Sequence, residues 1–338
     1  MGNNNNSTVQ TKSEILFLFE SIYTIPNGDP FTGEQRYDEE TKKILVSDVR
    51  IKRYIRDYLF EQKSEDGAPL FEIYVWNDIS EATGKQSGSA ARMKSLKKKY
   101  EKDESVKTEN KIDATKLLQK CIDVRLFGGI STEEKDAVNL TGPVQFALLN
   151  PSLNEVELRI HQNTSVFVSS VEKSRGAIGT TTVVPYAINQ IHGWINPYSA
   201  KYTNLSDNDV SIMLKALWES VNNVNTRTKS NQNSLLLLQI IYSEPNKKLY
   251  GLDRLIKINT KINDEVEKKG EQLRSLDDFE FDFSGLLTIA NDEKVKEVLY
   301  YTESKKIMDY FESESKKVKS KFKELKLSEI KFDGEVKK

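Results

Sequence analysis

The chain has 338 residues, enough for one large or two ordinary domains, and its 50 Lys/Arg against 51 Asp/Glu leave a net charge of −1. A single cysteine and two histidines exclude a disulfide framework and a cysteine metal cluster, and no HExxH or GxSxG spacing occurs. Any nucleic-acid surface must therefore be local and balanced by acidic patches elsewhere.

No apolar run approaches membrane-spanning length, and the start does not read as a signal peptide. The Met1-Gly2 start fails the myristoylation pattern, which wants Ser or Thr where Asn6 stands. The reading is a cytoplasmic protein whose asparagine-rich residues 1–13 are a disordered start.

In chain order, residues 15–23 (ILFLFESIY) predict a buried strand, and residues 26–33 supply turn chemistry with two prolines and two glycines. Ser47 or Asp48 caps a helix on which Ile51, Tyr54, Ile55, Tyr58 and Leu59 share one arc, with Lys52, Arg53 and Arg56 on the other. A basic face beside a glycine turn can hold a sugar-phosphate chain, because glycine lets phosphate approach backbone N–H groups. The bland alternative is a solvated helix face.

Residues 70–76 (LFEIYVW) predict a second strand. Between Lys85 and Lys102 seven Lys/Arg face one acid, Glu101, which favours a nucleic-acid-facing insertion with Lys94, Lys97 and Lys98 as contacts. Met93, Leu96 and Tyr100 are either its packing side or wedges against bases. A short helix over 114–124 runs into RLFGG, where Gly128 and Gly129 are either a helix stop or a phosphate-contacting loop with Arg125.

Residues 144–149 predict a core strand. Residues 156–171 and 181–195 alternate and predict a long β-hairpin, with Lys173 and Arg175 near its tip. Residues 206–224 give the cleanest helix, residues 235–241 (LLLLQII) a strand buried on both faces, and residues 255–262 an edge strand. Beyond 291 the Lys/Glu-rich chain, with Val295, Val298, Leu299, Ile307 and Phe311 loosely spaced, predicts solvated surface helices. His192 reads as a packed or strand-end histidine, and Asp29, Asp38 and Asp48 as turn or cap residues. Stripped of insertions, the element order is βαββαβ, a ferredoxin-like order shared by many unrelated proteins.

Four motifs fall in order: PNGDP at 26–30, SDVR with KRYIR at 47–56, DVRLFGG at 123–129 and TGPVQF at 141–146; VVPY at 183–186 and HG at 192–193 follow. Together they resemble the backbone subunit of the type I CRISPR surveillance complex (Cascade) of the RAMP superfamily, most like subtype I-B, over residues 14 to 260. The resemblance implies an α+β fold: a modified RNA-recognition-motif (ferredoxin-like) palm over 14–265, with a finger insertion over 80–140 and a β-hairpin thumb over 164–185. Either insertion could take either role, and 266–338 would be a charged, largely helical C-terminal extension. It further implies a non-catalytic subunit that binds CRISPR RNA, stacks head to tail with copies of itself, meets target DNA through the guide, and joins the 5′-handle-binding, large, small and crRNA-processing subunits. No metal, cofactor or membrane is implied. Carried over by motif, the RNA contacts are Asn27, Gly28, Lys52, Arg53, Arg56, Arg125, Gly128, Gly129 and Gln145, with Lys173 and Arg175 on the thumb. The alternative within the superfamily is a ribonuclease that cuts bound RNA through an aspartate or His192.

Overall fold

The computed structural model describes residues 7–76, 88–132, 137–164, 178–260, 267–289, 291–315 and 321–332. Its centre is a seven-stranded sheet. In chain order the strands are β1 (Ser13–Thr24), β2 (Val144–Phe146), β3 (Arg159–Thr164), β4 (Ile178–Ile195), β5 (Gln232–Tyr242), β6 (Val295–Tyr301) and β7 (Phe322–Glu324). The sheet order is β3-β4-β1-β5-β6-β7, and β2 also pairs with β4. All pairs are antiparallel except β6 with β7.

The helices are α1 (Asp48–Glu61), α2 (Ser89–Lys99), α3 (Ala114–Leu118), α4 (Ile122–Phe127), α5 (Pro197–Thr203), α6 (Asp207–Asn223), α7 (Ser284–Ile289) and α8 (Lys305–Ser315). The apolar runs in β1 and β5 are continuous because both faces of the sheet are covered. Ile15, Phe17 and Phe19 meet α1 and α6 through Ile51, Ile55, Met213, Leu217 and Trp218. Leu16 and Leu18 face the opposite way, onto a second core built by residues 249–322, including Phe279, Phe283 and Phe311. Among the described residues, the β1–β5 part of this sheet is covered on both faces.

Several expectations are corrected. Residues 7–13 are not a disordered start: Val9 is buried and its N–H donates to the carbonyl of Leu205 at 2.9 Å. Residues 70–76 make a single bridge, Glu72 with Cys121, instead of a strand. The reason is local: the Asp123 carboxylate accepts from the backbone N–H groups of Tyr74 (2.8 Å) and Val75 (3.0 Å), taking donors a ladder would need. The C-terminal stretch is not largely helical. Val295–Tyr301 joins the main sheet as β6, since its β-branched and aromatic residues complete the pairing of β5. Ile307 and Phe311 do lie on a helix, α8, and both are buried. The 114–124 helix is two short ones, α3 and α4, separated by a turn at Gln119–Cys121. Of the edge strand expected over 255–262, the described residues form Lys257–Asn259, paired with Glu280–Asp282, and 261–262 lie outside the described residues.

β3 and the first part of β4 do pair as a hairpin, from Arg159↔Val183 to Thr164↔Ile178. Its tip, with Lys173 and Arg175, lies outside the described residues, as does the 77–87 part of the basic insertion.

Candidate nucleic-acid interface

The turn after β1 anchors α1. The Asn27 side-chain oxygen accepts from the N–H of Ser47 at 2.6 Å, its backbone N–H donates to the Gln35 side chain at 2.9 Å, and its carbonyl accepts from Arg36 at 3.0 Å. Ser47 then caps α1 through the N–H of Arg50. Asn27 is thus buried and spent on the scaffold. Gly28 bridges to Gln35 across the loop, where an added Cβ would press on the carbonyl of Gly33 at 3.2 Å.

The basic face expected on α1 is two faces. Lys52 and Arg56 lie on the side toward α4, and both are paired. Lys52 pairs with Asp48 at 3.0 Å and donates to Gln145 at 3.2 Å; Gln145 in turn donates to the carbonyl of Gly142 at 2.9 Å. Arg56 pairs with the fully buried Asp123 at 2.9 Å, and its guanidinium lies 5.1 Å from the centre of the Phe127 ring. Arg50 and Arg53 project from the other side of the buried arc.

There they line a groove of about 750 Å³ with Tyr54, Tyr58, Trp76 and Lys229, the last from the connection between α6 and β5. Asp57 and Glu61 also reach this groove, and Asp57 is taken by Arg53 at 2.6 Å. Trp76 stacks on Phe60 with ring centres 3.6 Å apart, and the Arg53 guanidinium sits 5.0 Å above it. Among the described residues no carboxylate pairs with Arg50 or Lys229. The Arg50 Nε is buried without a hydrogen-bond partner. Among the described residues the Lys229 amine reaches the carbonyl of Ile25 at 3.5 Å and the hydroxyl of Thr228 at 3.3 Å. Burial first, and then the Arg50 charge, push that amine down to about 8. Two cations brought together against their repulsion, neither paired with an acid among the described residues, make a seat for an anion.

Arg125, expected in the phosphate groove, sits elsewhere. It forms a two-bond ion pair with Asp209 and donates to the carbonyls of Gln119 (2.9 Å) and Lys120 (3.3 Å). Of the two readings of RLFGG, the local geometry matches the helix stop. Gly128 ends α4 at φ +78, and a Cβ there would lie 2.1 Å from the carbonyl oxygen of Leu140. Gly142 answers it: its Cβ would meet the Phe127 carbonyl carbon at 2.0 Å, so the two chains touch backbone to backbone. Gly129 lies half-buried beside Val124 and Tyr74.

On α2, Met93 and Leu96 are buried against Leu117, Leu118 and Val124, which makes them the packing side. Glu72 gathers Arg92, Lys99 and Tyr100. Lys94 and Lys98 are exposed and Lys97 is half-buried. His192 is a strand residue whose Nε2 lies 2.7 Å from the buried Glu14 carboxylate. Burial raises the Glu14 carboxyl, but bonds from His192 and Tyr242 outweigh it and leave it below its usual value. Among the described residues no group of three or more His, Cys, Asp or Glu could hold a metal ion, and no helix is long and apolar enough to cross a membrane.

Sequence reading missed Arg50, Trp76 and Lys229 as groove residues. For Arg50 a signal existed, since on a helical wheel it falls beside Arg53. Lys229 is a lone lysine in a polar connection, with nothing in its neighbours to mark it.

Fold and site together define a mixed α+β protein with a cationic, aromatic-lined groove at one end of its central sheet. The sequence profile of the family described as CRISPR-associated protein Cas7 matches residues 11–284, and the chain belongs to that family. A relative from Haloferax volcanii, described as CRISPR-associated protein Cas7, is 29% identical over 301 residues, covering 83% of each chain. Two solved structures align over most of the chain. One, from a CRISPR RNA-guided surveillance complex, has TM-score 0.49 and 12% identity, covering 87% of this chain and 90% of its own. The other, from such a complex in a pre-nicking state, has TM-score 0.50 and 13% identity, covering 87% and 93%.

Proposed function

We propose that this protein is the non-catalytic, guide-holding backbone subunit of a type I CRISPR surveillance complex. Membership of the Cas7 family supports the class, and the observation that carries the role is the Arg50–Lys229 pair in the groove. A subunit that serves any guide must hold the sugar-phosphate chain through cations, amides and ring faces, without reading base edges. In this reading the βαββαβ core is a modified RNA-recognition palm. Cover on both faces of β1 and β5 moves the RNA away from that part of the sheet and onto its end beside α1.

Arg53 remains a contact from the original set. Lys52, Arg56 and Gln145 lie on the other face of α1, held by Asp48 and Asp123, and Asn27, Gly28, Arg125, Gly128 and Gly129 act in this reading by fixing the backbone around α1 and α4. The β3–β4 hairpin is the thumb, with Lys173 and Arg175 as its RNA contacts, and the α2 region is the finger with Lys94, Lys97 and Lys98. Further copies stack head to tail by a heterologous contact that does not close into a ring, and a near-zero net charge limits their mutual repulsion. CRISPR RNA, target DNA paired to it and the other Cascade subunits are the partners, in antiviral defence.

The test is Arg50→Glu with Lys229→Glu. Protein purified from cells that express the CRISPR array should lose its co-purifying RNA while keeping its circular dichroism spectrum and melting temperature. Full RNA content in the folded variant would defeat the proposal.

A further inference from the structure

At the end of β1 one residue departs from the strand around it. Tyr23 has φ +47 and is 64% exposed. That backbone region is costly for a bulky L residue, whose Cβ crowds the carbonyl. Both sides of the strand hold it there. The rungs Ile22↔Tyr186 and Thr24↔Val184 flank it on β4, with Pro185 across from it by register. On the other side the N–H of Ile22 donates to Asn231 at 3.1 Å, the N–H of Ile25 to Thr228 at 2.7 Å, and the Thr24 hydroxyl to Thr228 at 2.5 Å.

The local reason for such a kink is to bring Thr24 inward, where it is 3% exposed. Glycine or asparagine makes that kink at little strain, as Asn231 (φ 64) and Gly33 (φ 75) do nearby. A tyrosine there adds strain, and most of its ring gains no burial in return. Strain without local compensation points to use of the side chain itself.

Its surroundings say what use. The hydrogen bonds on either side of Tyr23, from Ile22, Thr24 and Ile25, run to Thr228 and Asn231, the residues that bracket Lys229 and Ser230, so its backbone lies beside the segment that supplies the groove's amine. A second exposed ring lies on the loop that follows β1. Phe31 is 96% exposed at the apex of a loop held by the Asp29 carboxylate, which accepts from the N–H of Phe31 at 2.9 Å. The loop's Glu34 accepts from Thr182 of β4 at 3.4 Å, three residues along from Pro185. Exposed rings on fixed backbone beside unpaired cations are the combination that binds single strands, the rings taking bases and the cations phosphates.

We infer that Tyr23 is a base-stacking residue for a single strand of RNA whose phosphates lie on Arg50 and Lys229, with Phe31 the next exposed ring along the chain. The inference rests on the guide-binding reading, and the two can fail separately. Tyr23→Ala, Tyr23→Gly, Tyr23→Phe and Tyr23→Trp are compared with wild type, on the full chain, for affinity toward a defined single-stranded RNA carrying 4-thiouridine and for the site of photo-crosslinking. If wild type does not bind RNA, the guide-binding reading falls and this inference with it.

If wild type binds, the expected result is crosslinking at Tyr23, about tenfold weaker binding for the Ala variant with an unchanged salt slope, and retained binding for Phe and Trp. The Gly variant relieves the strain, so it should fold at least as well as wild type and still bind as weakly as Ala. Wild-type affinity in both the Ala and Gly variants would overturn the inference. So would unchanged affinity with fewer copies loaded per RNA, which would assign the ring to a neighbouring copy.

Discussion

The Arg125 guanidinium closes on the Asp209 carboxylate through two bonds, Nε to Oδ2 at 3.0 Å and Nη2 to Oδ1 at 2.7 Å. Asp209 simultaneously completes the capping box of α6 with Ser206. One buried pair thus ties α4, and through it the Gly128 turn, to the start of the longest helix. Removing one partner leaves the other charge buried and unanswered. Arg125→Met should cost about 3–5 kcal/mol of stability by denaturant unfolding. RNA bound per folded molecule should stay near wild type, whereas a direct phosphate contact would lose RNA before stability.

Lys52 and Arg56 invite the opposite comparison with Arg50 and Lys229. Arg56→Ala strands the Asp123 carboxylate and should lower the melting temperature clearly. Arg50→Ala and Lys229→Ala break no ion pair, so they should leave stability within about 0.5 kcal/mol. Each should lower the slope of log affinity against log salt by about 0.7 for single-stranded RNA. Equal slopes for all variants would place the phosphates elsewhere.

Lys229 predicts a pH dependence with two signs. Its amine titrates near 8 in the folded protein and near its higher ordinary value when unfolded. Between those values the unfolded chain binds more protons, so this group makes the RNA-free protein more stable as pH rises. RNA binding should change the other way, weakening from pH 7 to 9 as the amine loses its charge. Lys229→Arg should flatten both trends, because the guanidinium stays charged. Paired titrations of melting temperature and RNA affinity check both signs.

Gly128→Ala should be among the most damaging small substitutions in the chain. It combines a left-handed backbone with a Cβ 2.1 Å from the Leu140 carbonyl oxygen. We expect a loss of about 2–4 kcal/mol or failure to fold. Gly129→Ala meets side chains instead of backbone, Val124 at 3.2 Å and Tyr74 at 3.5 Å, at an ordinary φ, and should be milder.

What was readable from residues alone follows from the range of the forces. ILFLF and LLLLQII read as buried strands because continuous apolar runs need cover on both faces, and α6 read from its spacing and its capping signal. VKEVLYY read as helix because its spacing fits either period, and only the unpaired edge of β5 decides for a strand. The site was half legible. The motifs around α1 located it, but which cation points into solvent and which onto an acid depends on Asp123 and Asp209, carboxylates that reach Arg56 and Arg125 only after folding. Lys229 joins Arg50 across a long sequence separation, and no local pattern encodes that.

β4 belongs to two structures at once: one end is laced to β1 and the other is an arm of the hairpin. Mechanically it is a cantilever clamped along its inner length. The hairpin cannot swing about its root without tearing rungs from the centre of the sheet, so its bearing is inherited from the sheet's twist. In a stack of identical copies every such beam would leave its palm at the same angle. The interval at which one copy reaches the next would then be set by the core of the protein instead of by the guide.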